Sequence, residues 1–448
     1  MVDLKYVKMK YKNGQALWEK AKTIIPTGNQ LLSKKAERFL PGLWPSYYQK
    51  AKGCEVWDIS GNHYYDFAQM GVGACVLGYA NDEVDNAVIE AIQNGSMCTL
   101  NSYEEVELAE KMIELHPWSS MVRFARTGGE ACAIGVRIAR TYTGRDKVAF
   151  CGYHGWSDWY LAANIADSSN LDGQLIPGLK PAGVVRSLKH TNIPFNFNKL
   201  NELQDIINNN PGEIGVIIME PAREVEPNQD FIRGVREIAN KIGAILIFDE
   251  VTSGFRVNLG GIHLKYGVNP DIAIFGKALG NGFPIAAIIG KREVMSAAEN
   301  SFISSTMWTE RVGFVSALKT IEIMEREKVQ EKLIYFGDRI NEGWNRLAQE
   351  TNLKIHISGI PPLTHISFDC YDPNAVQTLY TQEMLEKGYL LGSSVYATYA
   401  YNNEIIDRFL IDSRDVFITI SKAIKEKNIH KYLKNEVIQV GFKRLTGK

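Results

Sequence analysis

The sequence predicts an α/β protein in which a large domain holds a mostly parallel sheet between helices, with a smaller domain beside it. Two observations support this fold class. From about residue 76, short segments alternate with helical stretches, and these segments are nearly all apolar instead of alternating polar with apolar residues. Strands of that kind are covered on both faces, as in parallel sheets. The length of 448 residues also exceeds what one small core can organise.

The large domain is predicted at residues 76–310, and residues 1–75 and 311–448 are predicted to form the smaller domain. In the first part, Ser60-Gly61-Asn62 predicts the turn of a hairpin over Val56–Phe67. A long helical stretch over 317–350 begins the last part, and mixed strands and helices follow. The strands predicted in the large domain are Met121–Ala125, Val148–Cys151, Ile214–Met219, Ala244–Phe248, Ile272–Phe275 and Ala286–Gly290.

Composition excludes several functional classes. The formal net charge is -1, so nothing draws the chain as a whole to nucleic acid or to a membrane. The six cysteines show no CxxC spacing and the eight histidines are dispersed, so no metal site is predicted. The first residues lack the apolar run of a signal peptide, and no stretch of about 18 apolar residues is present. We therefore expect a cytoplasmic protein with free thiols.

Residues that directly follow the strands are the first candidates for chemistry, because ligands collect at the carboxyl ends of parallel strands. Gly128 and Gly129 lie where a helix begins, and bare backbone N–H groups there suit a phosphate. Taken alone, such a pair is more often a structural turn. Tyr153 and Trp156 could each stack on a flat ring, although an aromatic residue taken alone is more often explained by core packing. His154 is likewise more often a structural histidine than a catalyst.

An acid and a lysine end two further strands. Asp249 follows a buried strand, where a carboxylate needs a partner such as a protonated pyridine nitrogen; a helix cap or a pair with Arg256 is the alternative. Lys277 also ends an apolar strand, and a desolvated lysine is a usable nucleophile, unless it extends to the surface. Together, the phosphate site, the aromatic ring, the acid and the lysine match one cofactor.

These motifs resemble the class III aminotransferases, which are pyridoxal-phosphate (PLP) enzymes of fold type I, and within them the branch of the glutamate-1-semialdehyde aminomutases. The resemblance implies a mostly parallel seven-stranded sheet in the large domain, a smaller α+β domain, PLP as cofactor, and a homodimer with active sites at the interface. The motifs that carry it are RTGGEA at 126–131, YHGWSD at 153–158, MEP at 219–221, FDEVTSGFRV at 248–257 and FGKALGNGFPIAAIIGKREVM at 275–295.

The resemblance also implies a role for individual residues. Lys277 forms the Schiff base with PLP and carries a proton, and Asp249 pairs with the pyridine nitrogen. Val251 and Tyr153 pack on opposite faces of the ring. The remaining implied cofactor contacts are those of the phosphate and the surrounding pocket: Gly128, Gly129, Thr306 (which reaches the phosphate across the dimer interface), His154 and Glu220.

The substrate end departs from the aminomutase pattern. Thr309-Glu310-Arg311 replaces Gly-Asn-Pro, Tyr396-Ala397 replaces Glu-Ala, and the substrate-binding arginine has no clear counterpart in Ile25–Phe39. We therefore expect a two-substrate aminotransferase that moves an amino group from a small-molecule donor to a carbonyl acceptor. An intramolecular aminomutase is the alternative, and a non-catalytic binding protein is the third hypothesis. Candidate substrate contacts are Trp308, Arg311 and Tyr396, for which core packing or a surface salt bridge is the competing explanation.

Overall fold

The protein is described by a computed structural model that covers residues 13–174, 177–222 and 224–441. Within these residues the chain divides into two compact units. Unit 1 comprises the residues up to Asn81 together with Lys332–Val440, and unit 2 comprises Asp82–Glu331 with Gly441. The sequence had suggested boundaries at 75/76 and 310/311. The second boundary lies later because the helix that begins at Arg311 packs against two helices of unit 2.

The strands alternate with helices through much of the chain, as expected for an α/β protein. In chain order, the strands of the described residues are β1 (Tyr48–Lys52), β2 (Glu55–Asp58), β3 (His63–Phe67), β4 (Met121–Ala125), β5 (Lys147–Cys151), β6 (Asn192–Pro194), β7 (Ile214–Met219), β8 (Ile245–Asp249), β9 (Ile272–Phe275), β10 (Ala286–Gly290), β11 (Ile355–Ser358), β12 (Leu363–Phe368), β13 (Tyr389–Leu391) and β14 (Ser394–Tyr396).

The α-helices of the described residues are α1 (Gly14–Ile24), α2 (Asp82–Gln93), α3 (Glu104–Leu115), α4 (Gly128–Thr143), α5 (Asp158–Leu161), α6 (Ala163–Ala166), α7 (Leu200–Asn209), α8 (Gln229–Ile242), α9 (His263–Tyr266), α10 (Arg292–Met295), α11 (Arg311–Glu327), α12 (Val329–Thr351), α13 (Pro373–Glu386) and α14 (Asn403–Lys425). Short 3₁₀ turns cover Leu32–Lys34, Ala36–Arg38, Arg186–Leu188, Lys277–Gly280, Ser296–Asn300, Thr306–Thr309 and Ile429–Tyr432.

The sheet of unit 2 confirms the predicted fold class. In the described part of the chain it has seven strands in the order β4-β10-β9-β8-β7-β5-β6. β5 to β9 pair in parallel, and β10 alone runs antiparallel to its two neighbours. β7, β8, β9 and β10 are buried along their whole length, which explains their uninterrupted apolar sequences.

Helix α4 packs closely on this sheet. A Cβ atom at Gly135 would lie 3.0 Å from Cδ1 of Ile274 and 3.7 Å from Cδ1 of Ile247, so the missing side chain lets the helix approach β8 and β9. Because α4 follows β4 after only two residues, its N-terminus lies at the carboxyl end of the sheet. The close packing therefore places the first turn of α4 where ligands bind in such folds.

Unit 1 is built around two smaller sheets, with the orders β1-β2-β3-β13 and β11-β12-β14 among the described residues. The predicted hairpin is present as β2 and β3, with Trp57 opposite His63. The ring of Phe67 stacks on that of Phe409 from α14 at 4.0 Å between centroids, and joins the hairpin to the C-terminal helix. Unit 1 thus combines segments from the first and last parts of the described chain in one mixed α and β core.

Among the described residues, no helix has both the length and the apolar composition that a membrane crossing requires.

Candidate active site

The end of β8 and the end of β9 lie side by side in the sheet. Asp249, the last residue of β8, is paired with Ile274 of β9, and Lys277 follows two residues after β9 ends. A Cβ atom at Gly276 would lie 3.5 Å from Cγ1 of Val251, so the two strand ends are in van der Waals contact. The structure therefore brings together the two segments that carry the predicted acid and the predicted lysine.

The carboxylate of Asp249 is buried, with 3% of the residue exposed. Its Oδ2 atom contacts Nδ1 of His154 at 2.8 Å and accepts a hydrogen bond from Sγ of Cys132 at 3.2 Å. The backbone N–H of Val251 donates to Oδ1 at 3.1 Å. Three partners offset much of the cost of burying the carboxylate, and they hold it in one orientation at the strand end.

The ligand atoms of Cys132, His154 and Asp249 lie within 4.8 Å of one another, a spacing that could in principle hold a metal ion. Burial, with the nearby charge of Asp249 as a second cause, raises the pKa of the Cys132 thiol well above its usual value. In the structure the thiol donates to Oδ2 of Asp249, and Nδ1 of His154 contacts the same oxygen, so the three groups are partners of one another. We interpret the three side chains as a hydrogen-bonded group.

Lys277 lies half-buried at the start of a 3₁₀ turn. Its φ angle is +45°, in the left-handed region that residues with a side chain rarely occupy, and such strain is typical of functional sites. The Nζ atom donates a hydrogen bond to Oγ1 of Thr252 at 2.8 Å. The backbone of Thr252 is also held, because Nε of Arg256 donates a hydrogen bond to its carbonyl oxygen at 2.5 Å. The amine is thus fixed next to the segment that carries Asp249.

Gly128 and Gly129 form the first turn of α4, where the sequence predicted a phosphate site. Thr127 caps the helix, and its hydroxyl and the carboxylate of Glu130 exchange hydrogen bonds with the backbone in a capping box. A Cβ atom at Gly128 would lie 2.7 Å from Cγ1 of Val251. Val251 thus packs directly against the helix start, and glycine is required for that contact.

We expect Gly128→Ala to weaken cofactor binding more than Gly129→Ala does. The new methyl group at 128 must displace Val251, whereas at 129 it would lie 3.4 Å from the ring of Trp156, which is an ordinary contact. Overpacking of this kind costs about 1–3 kcal/mol, or roughly a tenfold weaker dissociation constant. Titration of each apo-protein with the cofactor measures the effect. Equal affinities in the two variants would contradict the steric argument, and Gly128→Ala/Val251→Ala should recover part of the loss.

Tyr153 and Glu220 meet at the ends of β5 and β7. The buried carboxylate of Glu220 accepts a hydrogen bond from the backbone N–H of Tyr153 at 3.0 Å. The ring of Tyr153 packs edge-on against Tyr160, at 5.8 Å between centroids. A cavity of about 180 Å³ opens beside them and is lined in part by Gly152 and Glu220. The predicted contact residues Tyr153 and Glu220 are therefore joined to each other, and Glu220 borders a cavity.

A buried polar network lies next to this cluster, around Glu250. Its carboxylate accepts hydrogen bonds from the hydroxyl of Ser253 at 2.6 Å and from the backbone of Ile262 and His263, and it contacts Nδ1 of His263 at 2.8 Å. His116 is fully buried nearby, and its Nε2 atom accepts the N–H of Gly261 at 3.0 Å. These contacts fix the loop between Asp249 and α9, and with it Val251 and Thr252.

His116 predicts a pH dependence of stability. Burial lowers the pKa of its imidazole from 6.5 to about 4. In the folded protein the ring stays neutral below pH 6.5, whereas in the unfolded chain it takes up a proton. The contribution of His116 to the free energy of unfolding is therefore fully present above pH 6.5. It falls by up to about 3 kcal/mol as the pH drops toward about 4. We expect His116→Gln to remove this part of the slope when urea unfolding is measured at about pH 7 and about pH 4.5. An unchanged slope would contradict the assignment.

The predicted substrate contacts of unit 2 lie in one segment. Trp308 donates Nε1 to Oε1 of Glu130 at 3.4 Å and packs at the edge of the main core. Arg311 forms an ion pair with Glu104 through Nε at 2.9 Å and Nη2 at 2.5 Å. The hydrogen bond with Glu104 raises the pKa of the Arg311 guanidinium. The structure thus shows core packing for Trp308 and a salt bridge for Arg311, and their contact with substrate stays a prediction.

Thr306 and Tyr396 differ in their surroundings. Thr306 is exposed at the start of its 3₁₀ turn, as expected of a residue that would reach a neighbouring subunit. Tyr396 belongs to unit 1, where it ends β14, is buried and pairs with Leu363. Its ring packs edge-on against His365, at 6.1 Å between centroids. Both functional roles stay predictions.

Three residues of the site were not singled out from the sequence. Cys132 donates to Asp249, Thr252 accepts from Lys277, and Arg126 donates to the segment around Trp308. Cys132 directly follows the RTGGEA motif and lies one helical turn beyond Gly128, so helical periodicity could have indicated it. Thr252 lies within the FDEVTSGFRV motif and Arg126 within RTGGEA, but only their contacts reveal what they do.

Comparison with known proteins provides an independent line of evidence. The family model for aminotransferase class-III matches residues 42–402. The 3-aminobutyryl-CoA aminotransferase of Cloacimonas acidaminovorans strain Evry is 34% identical over 383 residues, which cover 84% of this chain and 88% of the relative. The glutamate-1-semialdehyde 2,1-aminomutase of Methanothrix thermoacetophila is 30% identical over 424 residues, 90% of this chain and 96% of the relative.

A solved structure shows the same fold. The PLP internal aldimine form of the FumI protein from Sphingopyxis sp. MTA144 superposes with a TM-score of 0.84 at 24% identity, over 94% of this chain and 100% of that one. The expected PLP-transferase fold is therefore confirmed. Given the family match and the relatives at 30% and 34% identity, this chain belongs to the class III aminotransferases and is an enzyme whose cofactor is pyridoxal 5'-phosphate.

Proposed function

We propose that the protein is a two-substrate aminotransferase in which Lys277 binds PLP covalently and Asp249 pairs with its pyridine nitrogen. The observation that carries this proposal is the half-buried amine of Lys277, held by Thr252, next to the segment that bears the buried carboxylate of Asp249. An amine and a carboxylate at neighbouring strand ends suit the two ends of one pyridine ring. The helix start at Gly128 suits its phosphate.

The residues present fit the cofactor chemically. A buried carboxylate such as Asp249 stabilises a cationic ring N–H, and its hydrogen bonds from Cys132 and Val251 hold it in one orientation. The side chain of Val251 packs between the first turn of α4 and Gly276, and its apolar surface suits one face of a flat ring. In this assignment Tyr153 covers the opposite face of the ring, and Glu220 and His154 fix the surrounding loop.

PLP supplies the electron sink that makes the hydrogen on the amine-bearing carbon of the substrate acidic. Lys277 Nζ takes up that proton as general base and returns it, a role that needs an amine with little freedom to move. Thr252 restricts this freedom through its hydrogen bond at 2.8 Å. Asp249 holds the proton on the ring nitrogen throughout, and the burial of its carboxylate strengthens that interaction.

Single-turnover spectroscopy tests this proposal against the aminomutase alternative, which the relative at 30% identity supports. The purified holoenzyme is mixed with one amino donor and no acceptor. A two-substrate aminotransferase converts the bound cofactor to its amino form and releases one equivalent of carbonyl product for each site. Isomerised substrate without a released carbonyl product would overturn the proposal in favour of the aminomutase.

The preferred donor is proposed to carry its amino group on the β-carbon. The support is the relative named 3-aminobutyryl-CoA aminotransferase, which is 34% identical across most of both chains. At the substrate end, Thr309-Glu310-Arg311 and Tyr396-Ala397 also depart from the aminomutase pattern. A panel of 3-aminobutyrate, its CoA thioester, β-alanine and the corresponding α-amino acids separates the classes. Turnover restricted to α-amino donors would contradict this proposal and leave the aminotransferase assignment intact.

A homodimer is proposed because unit 2 exposes large apolar side chains around the Thr306 turn. Phe302 is 89% exposed and Leu100 is 79% exposed. Arg311 links the two segments that carry this surface, since its N–H donates to Ser96 O at 2.9 Å and its guanidinium lies 5.7 Å from the ring of Tyr103. Exposed apolar patches of this kind mark interaction sites.

Sedimentation of Leu100→Asp tests the dimer, with Tyr48→Asp in unit 1 as a control of similar exposure (68%). We expect Leu100→Asp to shift the protein toward monomer and Tyr48→Asp to leave it dimeric. A wild-type protein that is monomeric and active would overturn the proposal.

A cytoplasmic location is proposed because all six cysteines are free thiols, including the exposed Cys98. Free thiols persist in a reducing compartment. Fractionation of the native host tests it, and recovery of the protein outside the cytoplasm would contradict it.

A further inference from the structure

Arg126 follows β4 directly, and its side chain is only 10% exposed. The guanidinium donates hydrogen bonds to three backbone carbonyls of a distant segment. Nε donates to Met307 O at 2.7 Å, and Nη2 donates to Trp308 O at 3.2 Å and to Glu310 O. One side chain thereby binds the backbone of most of the turn that begins at Thr306.

Arg126 supplies these carbonyls with donors from outside the turn, in addition to the long hydrogen bond that the N–H of Glu310 donates to Met307 O at 3.4 Å. An arginine suits this role, since its planar guanidinium offers several N–H groups in a fixed arrangement. Two further contacts hold the guanidinium in place: the carboxylate of Glu310 lies 3.8 Å from Nη2, and the ring of Phe314 lies 5.1 Å from the guanidinium carbon. The guanidinium of Arg126 is therefore restrained by contacts beyond its hydrogen bonds to the three carbonyls.

A second link joins the same turn to the start of α4. Trp308 donates Nε1 to Oε1 of Glu130 at 3.4 Å, and the other carboxylate oxygen of Glu130 accepts the N–H of Thr127 at 3.0 Å. The Thr306 turn is thus tied to the capped helix end that presents Gly128. Thr306 itself is exposed, so its position depends on the backbone of the turn that carries it.

We propose that Arg126 is a positioning residue that holds Thr306 where it binds the cofactor phosphate of the neighbouring subunit. The inference rests on the proposed homodimer and on the proposed role of Thr306. The physical basis is that the Thr306 turn exposes Thr306, which in this proposal faces the neighbouring subunit. The backbone carbonyls of the same turn are bound by Arg126 within its own subunit. Without Arg126 the turn loses three hydrogen bonds at once, and Thr306 loses its fixed position.

The first measurement is the dissociation constant of PLP, from absorbance titration of apo-protein. We expect Arg126→Gln and Thr306→Val each to weaken binding by about tenfold, which is the effect of losing one well-placed hydrogen bond to a charged group. Arg126→Lys, which keeps the charge but loses the forked donors, should lie between Arg126→Gln and wild type. The double variant Arg126→Gln/Thr306→Val should bind no more weakly than the worse single variant, because both changes remove the same contact.

Arg145→Gln is the matched control. Arg145 also donates from its guanidinium to two backbone carbonyls, those of Ile242 and Gly243, but at segments that carry no predicted contact. It should leave the PLP dissociation constant within about twofold of wild type. Thermal unfolding of each apo-protein shows whether a variant has lost its fold. If Arg145→Gln also bound PLP weakly, the loss of any arginine that binds backbone carbonyls would be enough to weaken PLP binding. The inference about Arg126 would then fail.

Mixed dimers separate action on the neighbouring site from damage to the protomer's own site. When one protomer carries Lys277→Ala, only the other can form the visible absorbance band of the lysine-bound cofactor. With Lys277→Ala and Arg126→Gln in the same protomer, the remaining lysine site receives its threonine from the altered chain, and its affinity should fall about tenfold. With the two changes in different protomers, that site should keep wild-type affinity. The reverse pattern, or equal affinities, overturns the inference.

The same design keeps this inference distinct from the proposed function. Mixed dimers that carry Thr306→Val in place of Arg126→Gln test the threonine itself. If Thr306→Val acts across the interface and Arg126→Gln does not, the positioning role of Arg126 is wrong while the proposed site stands. If Thr306→Val has no effect in either arrangement, the proposed contact of Thr306 is wrong, and the inference about Arg126 falls with it.

Discussion

Lys277→Ala is expected to abolish transamination, with turnover at least about 10³-fold below wild type. Alanine removes both the amine that binds the cofactor covalently and the base that moves the substrate proton. The variant should still bind PLP, because Gly128 and Asp249 are unchanged, but without the visible absorbance band of the lysine-bound form. Steady-state turnover with the best donor, together with absorbance spectra of the purified protein, measures both effects.

Lys265→Ala serves as its control. Lys265 lies 12 positions earlier and is 44% exposed in an ion pair with Glu226, so its removal should leave both the spectrum and the turnover unchanged. A Lys277→Ala protein that kept the absorbance band would show that another amine binds the cofactor. The proposed site would then be wrong, although the family assignment would remain.

Asp249→Asn is expected to lower the rate of the first half-reaction by about 10²–10³-fold. The neutral amide cannot stabilise a proton on the ring nitrogen, so the cofactor withdraws electrons less strongly. The NH₂ group of the asparagine would also be a donor facing other donors, because Cys132 and Val251 both donate to the carboxylate in the wild type. Stopped-flow spectroscopy of the holoenzyme mixed with the amino donor gives the rate separately from cofactor affinity.

Asp230→Asn, an exposed change in α8, provides the comparison and should not alter that rate. A normal half-reaction in Asp249→Asn, with the cofactor fully bound, would contradict the proposed contact with the ring nitrogen. A slow reaction caused only by incomplete cofactor binding would be recognised from the PLP content of the sample.

Much of the large domain could be predicted because its strands are locally distinctive. The apolar segments at β4, β5, β7, β8, β9 and β10 matched the structure to within one residue at each end. Strand β6 was not found, because its three residues Asn192–Pro194 are partly polar and end in proline. The long helical stretch after residue 310 is divided into α11 and α12 at Lys328, whose φ angle is +48°. Nothing in the helical periodicity there indicated this break.

By itself, the sequence determined the chemistry of this protein: the order of a helix-start glycine pair, an acid and a lysine after successive apolar strands predicted a PLP enzyme. Such signals are local, since each depends on a residue and the strand before it. Only the tertiary structure revealed the residues that hold these groups in place. Cys132 reaches Asp249 across 117 positions of sequence, and Arg126 reaches Met307 across 181. Contacts over such separations depend on how helices pack on the sheet, which no local pattern encodes.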